Sequence, residues 1–132
     1  MKPWKIIQKL ESDNSRLFKE GVIQENIHDL DFQEGLSMCL DALVTFGVKQ
    51  VPKSNEDGKG LNWKTFKNAA LDLVERTKTG HAARDEIIDL MSQATIEEWN
   101  DWYRRILIKD LRCGVTHKTI NKNTTMKVPV FD

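Results

Sequence analysis

Apolar positions recur along this chain at intervals of three and four, the period of helices with one face buried. Trp4, Ile7 and Leu10 predict a first helix over 3–11, with Pro3 tolerated in its opening turn. A polar SDNS break follows, and Ser15 is placed to cap a second helix carrying Leu17, Phe18 and Val22. Asp31 and Glu34 have capping-box spacing for a third helix, expected to run through Leu36, Leu40, Leu43, Val44 and Phe46 until Gly47 stops it. Residues 47–61, rich in Gly, Pro, Asn and Asp, predict the one long loop, read as either a mobile solvated segment or a phosphate-contacting arm carrying Lys49, Lys53 and Lys59. Trp63, Phe66, Ala70, Leu73 and Val74 line the next helix, over 62–76, and Thr79 is placed to cap another that carries Ala82, Ala83, Ile87, Leu90 and Met91.

Thr95 and Glu98 form a second capping-box pattern. The helix it opens, with Ile96, Trp99, Tyr103, Ile106, Leu107 and Leu111 on its apolar face, organises the chain, and Gly114 is its expected left-handed stop. A short last helix begins at Thr116. No alternating strand pattern, internal repeat or low-complexity tract is present. The fold class expected is therefore all-α: a compact single-domain helical bundle of about six to eight helices. The domain is drawn over 1–123, and the tail 124–132 (ending KVPVFD) is read as the start of a connector to a catalytic domain that the sequence lacks.

With 132 residues, 39% apolar and 30% charged, the chain is long enough for a core without metals or disulfides. No apolar run is long enough to span a membrane, and charges interrupt the apolar N-terminus, against a signal peptide. Cys39 and Cys113 lack CxxC spacing and are expected as reduced packing residues. The zero net charge conceals an uneven distribution: residues 81–98 hold one basic and five acidic groups, whereas 99–132 hold seven and three. One basic face on a neutral protein points to an anionic partner. A solvated surface on a helical protein–protein interaction module would carry the same pattern.

Catalytic chemistry finds little support. His28, His81 and His117 are scattered singly, with no HExxH or paired Cys/His spacing, so no metal ligands are assigned. No phosphate loop occurs. Asp57–Gly58 has Asn55 where a nucleotidyl-transfer lysine would stand, and no catalytic residue is assigned. Trp99 belongs to the core stripe, while Trp102 is a candidate for stacking on a base. Small residues after Thr79 leave backbone N–H groups open to a phosphate.

The block RRILIKDLRCGVTHKTINK resembles the end of the N-terminal helical domain of ATP-dependent DNA ligases, closest to the compact ligases of T-even-like bacteriophages. Arg104, Arg105, Asp110, Leu111, Cys113, Gly114, Ile120, Asn121 and Lys122 carry the match. Thr79, Gly80, Ala82 and Ala83 match the family's T-G-N-A-A helix start, from which His81 departs, and GLSMCLDAL resembles its central helix. The likeness extends over most of residues 4–123. It implies an all-helical module that binds nicked double-stranded DNA across the minor groove without base specificity. That module helps clamp the duplex for a nucleotidyltransferase domain, which an oligonucleotide-binding domain follows. By this resemblance the chain is a DNA-binding part of a ligase and not itself an enzyme. It needs no cofactor of its own, whereas ATP and magnesium are implied for the full-length parent. The cytoplasm, of the host if the source is a bacteriophage, is the implied compartment, with no membrane partner. Likeness and charge together give the expected DNA-binding residues: Thr79, Gly80, His81, Arg105, Lys109, Arg112, Thr116, His117 and Lys118.

Overall fold

Residues 1–129 are described by the computed structural model, and among them the chain forms seven helices and no strand. They are α1 (Pro3–Glu11), α2 (Arg16–Asn26), α3 (Leu30–Leu40), α4 (Trp63–Val74), α5 (Gly80–Gln93), α6 (96–107) and α7 (His117–Asn123). Val130, Phe131 and Asp132, the end of the expected connector, lie outside the described residues. The all-α expectation holds, and no helix described is long and apolar enough to cross a membrane.

Several boundaries follow from side chains that satisfy the orphan N–H groups of a first turn. Ser15 accepts from Phe18 N–H, Asn62 from Thr65 N–H, and Thr95 with Glu98 forms the expected capping box. At α3 the pattern misled. Asp29, not Asp31, is the cap, accepting from Phe32 N–H at 3.2 Å, which turns Phe32 fully inward. This helix also ends at Leu40 instead of running to Phe46. The Asp41 carboxylate captures Leu43 N–H at 2.8 Å, and the Lys109 ammonium binds the carbonyls of Met38, Asp41 and Val44 at 3.1, 2.6 and 2.5 Å. A cation at the negative end of a helix is favourable, and here it terminates one. Leu43, expected in the core, is 68% exposed.

Helix α6 is the axis of the molecule. It packs against α1 and α3, while α2 packs on α1 and α7, and α4 on α5. Between Ile96–Glu98 and Arg104–Leu107 its middle, Trp99–Tyr103, is π-helical, with Arg104 N–H donating to Trp99 C=O. Trp99, Trp102 and Tyr103 are all buried there, so Trp102 is a core residue and not available to stack on a base. Its ring lies against Phe32 (centroids 5.7 Å apart) and Trp63 (6.3 Å), and Tyr103 meets Phe66 at 4.5 Å. Aromatic pairs at such separations add about 0.5–1.5 kcal/mol each beyond area burial. They tie α3, α4 and α6 into one core. Gly35 permits this packing, because a Cβ there would lie 2.2 Å from the Trp102 ring.

Helix α6 ends earlier than expected, at Leu107, and Gly114 is not its cap. Lys109 takes the left-handed position (φ 57°), and the N–H groups of Lys109 and Asp110 close on the carbonyls of Ile106 and Arg105. α4 ends in the same way around Arg76 (φ 60°).

The segment between α3 and α4 is largely solvent-exposed, as expected of a loop, but it is laced to the rest of the fold. Val51 and Leu61 are buried. Trp99 Nε1 donates to Pro52 C=O (2.9 Å), Arg104 Nε to Val51 C=O (2.7 Å) and Tyr103 hydroxyl to Leu61 C=O (2.5 Å). Leu61 N–H donates to the buried Glu98 carboxylate at 2.7 Å, and Gly58 N–H to Ala94 C=O at 2.8 Å. Irregular backbone can be held this tightly only where each polar group finds a partner, and α6 supplies most of them.

Candidate functional site

The lacing of 47–61 onto α6 builds one wall of an open groove of about 760 Å³. The start of α5 forms the opposite wall, and the connection 108–116 closes one end. Val48, Val51, Pro52, Ala83, Ile87 and Ile108 contribute apolar lining, and Lys49, Arg84, Arg104 and Arg112 line the groove as well. Among the described residues no carboxylate lines it. Burial, and then the charges of Arg112 and Arg105, hold the Arg104 guanidinium below its ordinary pKa, as expected of cations gathered without counter-charge. Its Nε–H bond to Val51 C=O fixes it against the wall.

At the start of α5 the chain leaves donors open. Thr79 occupies the cap position but its hydroxyl makes no capping bond. Ala82 and Ala83 N–H groups both turn back to Thr79 C=O, at 3.1 and 3.3 Å, and Gly80 and His81 N–H groups find no acceptor among the described residues. Gly80 lines the groove, and His81 is exposed beside it. Open N–H groups and the positive end of a 14-residue helix thus meet four side-chain cations.

Other residues expected in the site are placed differently. Arg105 is turned inward: its side chain is 12% exposed, paired with Glu11 and with Asp101 (3.2 Å), and bonded to Leu111 C=O (3.0 Å) and Asn100 C=O (3.1 Å). Lys109 is committed to three carbonyls at the end of α3, and burial lowers its pKa. Arg112 does reach the groove, with φ 52° and, among the described residues, only Asp110, at 3.6 Å, as a charged partner. Thr116, His117 and Lys118 open the seven-residue α7. Thr116 and Lys118 are exposed, and His117 Nε2 is buried without a partner. None of the three lines the groove.

Lys49, Arg84 and Arg104 were absent from the expected set, yet the sequence held a clue to Arg104. Asp101 stands four residues before Arg105 and pairs with it, which leaves the neighbouring Arg104 uncommitted on its helix. Arg84 could be found from its place four residues after Gly80, on the turn above the open N–H groups. Lys49 was singled out only as one of three lysines on the loop, and the fold alone shows that it, and not Lys53 or Lys59, lines the groove.

Other chemistry is sparse. No group of three or more His, Cys, Asp or Glu side chains that could hold a metal occurs among the described residues. Both cysteines are free and buried, and burial pushes the thiols up to about 12 (Cys39) and about 11 (Cys113), so neither is a thiolate at neutral pH.

No family model and no curated protein matches the chain. Solved structures do, the following two among them. The structure named "Pmar-Lig_Pre." is 52% identical with a TM-score of 0.89, and "Pmar-Lig_PreS3" is 53% identical with a TM-score of 0.89. Each comparison covers 92% of this chain but 29% of the other, so the chain spans under a third of the length of these ligase-named proteins. In sequence and in fold it is similar to a ligase-related domain of a longer chain.

Proposed function

We propose that this chain is a DNA-binding part of an ATP-dependent DNA ligase, holding nicked duplex by its backbone and positioning it for a nucleotidyltransferase domain. The groove carries this reading: four cations and an open helix start face one concave surface from which carboxylates are missing. Contacts of this kind fix a protein on a duplex without reading its sequence. Likeness to two ligase-named structures at 52% and 53% identity supports it, as does the match of the 104–122 block to the ligase pattern.

The DNA-contacting set on this reading is Lys49, Thr79, Gly80, His81, Arg84, Arg104 and Arg112, with Thr116 and Lys118 as outlying phosphate contacts. Arg105, Lys109 and His117 support the scaffold. Adenylylation, and with it ATP and magnesium, belongs to other domains of the parent chain, since Asn55 stands where the lysine of a K-x-D-G motif would be. The kinship with T-even-like bacteriophage ligases, and hence a host cytoplasm, is part of the same proposal.

Titration of a labelled nicked duplex, an intact duplex and a single strand at two salt concentrations tests it. Duplex binding should exceed single-strand binding and fall steeply with salt, and Arg84→Gln should lower the salt slope by about one. Absence of duplex binding at low salt, or a slope untouched by Arg84→Gln and Arg112→Gln alike, would overturn the assignment.

A further inference from the structure

A second depression, of about 590 Å³, lies between the α1–α2 turn and the connection 108–116. Its lining includes Arg16, Lys19 and Arg112, with Asn14 and Thr119, against the single carboxylate of Glu11. That carboxylate is already engaged by Arg105, which does not line the depression. Lys19 is the unusual member. It is only 9% exposed, and a buried ammonium ordinarily has a carboxylate beside it. Here Nζ donates to Leu10 C=O at 2.6 Å and Cys113 C=O at 2.7 Å, and no carboxylate pairs with it among the described residues. An ammonium has three donors, so one is left over. Among the described residues Arg16 reaches only Glu20, at 4.0 Å, with a side chain 79% exposed.

We infer that this depression is a phosphate seat, in which Lys19 forms the floor and Arg16 and Arg112 the jaws, and that a DNA backbone phosphate fills it. Three cations against one committed carboxylate leave a local surplus of two positive charges among the lining residues. A phosphate oxygen accepting the spare Lys19 donor completes its coordination, and the guanidinium groups supply further charge-assisted bonds. Asn14 and Thr119 add neutral donors at the edge. Arg112 lines both this seat and the groove, so a duplex held in the groove has a phosphate position within reach of the same side chain. The choice of DNA as occupant rests on the duplex reading, whereas the seat rests on its own geometry.

Inorganic phosphate is the probe, titrated at low ionic strength into the full chain while the amide resonances of Asn14, Cys113, Gly114 and Thr119 are followed by NMR. Saturable shifts at these four, absent with chloride at matched ionic strength, are expected. Arg16→Gln, an exposed change that leaves the fold intact, should weaken phosphate binding about fivefold, the effect of one charge at about 4 Å in water. Arg84→Gln should leave it unchanged. Lys19→Met should abolish binding, with its thermal melt recorded to confirm folding. Should it fail to fold, Arg16→Gln paired with Arg112→Gln decides. Unsaturable shifts, or equal loss with Arg84→Gln, overturn the seat. If phosphate binds but no duplex does, the seat stands and the duplex reading falls. If the duplex binds with affinity unaltered by Arg16→Gln, the seat is not used by DNA.

Discussion

Lys109 distinguishes a scaffold cation from a DNA-binding one, and its replacement by methionine tests the assignment. Methionine keeps much of the aliphatic stem and removes the ammonium. Three carbonyls, of Met38, Asp41 and Val44, then lose their donor, and the cation 5.8 Å from the Phe46 ring is lost as well. Hydrogen bonds to charged groups contribute about 1.5–3 kcal/mol each, so the gross loss is several kcal/mol. Two effects reduce it. The three carbonyl-bearing residues are half-buried and accept water, and the burial that lowers the Lys109 pKa is a cost relieved by removing the charge. A net destabilisation of about 2–4 kcal/mol remains, close to a 10 °C fall in Tm for a domain of this size. Urea unfolding followed by tryptophan emission measures it. Lys109→Gly is the companion variant: it loses the same bonds but relieves the left-handed strain at φ 57°, and so should be about 1 kcal/mol more stable than Lys109→Met. A Lys109→Met protein within about 0.5 kcal/mol of the parent, with a DNA salt slope reduced by one, would refute the reasoning and return Lys109 to the interface.

Gly58→Ala should loosen the laced segment, because a Cβ would lie 2.4 Å from the backbone carbonyl oxygens of both Ser92 and Gln93. Expect a loss of about 1–3 kcal/mol and faster amide exchange at Gly60 and Leu61, and an unaltered melt would show that the segment is not anchored there. In acid, Glu34, held low by Lys67 and Trp63, and Glu97, held low by Lys5 and Gln8, contribute stability that is complete above the ordinary glutamate value of 4.5 and is lost as the pH falls below it. Asp31 acts oppositely, since burial and the charges of Asp29 and Glu34 raise its pKa and its protonation favours the fold. Thermal melts should therefore be flat from neutrality to about pH 5 and decline below 4.5, less so in Lys67→Met; an equal decline in that variant would exclude the Glu34 pair as a cause.

Of the features encoded within a turn of themselves, the sequence displayed some and misplaced others. Ser15 and the Thr95–Glu98 box each meet an N–H group three residues away and cap as expected, whereas Thr79 makes no capping bond and Asp29 takes the place expected of Asp31. Other failures came where distant residues decide. The apolar stripe through Leu43 favours a longer α3, yet a lysine 68 residues onward takes its terminal carbonyls. Gly and Pro in 47–61 mark irregular backbone correctly but say nothing of Glu98, Trp99 and Tyr103, which hold it. The basic character of 99–122 was legible, and its direction was not: Arg105 and Lys109 point into the structure, whereas Arg104 and Arg112 line the groove. Sequence-neighbouring cations look alike until the fold assigns their partners.

The pairing of the chain's two ends bears on how the domain assembles. Gln24 meets Asn123 and Lys122 meets Glu20 across separations of 99 and 102 residues, and Gln8 reaches Glu97 and Asp101 across 89 and 93. Closing a loop of about 100 residues costs about 3 kcal/mol more than closing a four-residue turn. Helices α1 and α2 therefore cannot complete their packing when they are made. They can pack on each other early, but the faces that meet α6 and α7 stay uncovered until those helices have been synthesised. During translation this leaves Ile6, Ile7, Leu10 and Ile23, all fully buried at the end, exposed for most of the domain's synthesis. A nascent chain halted before residue 96 lacks the helices that cover these side chains in the finished domain.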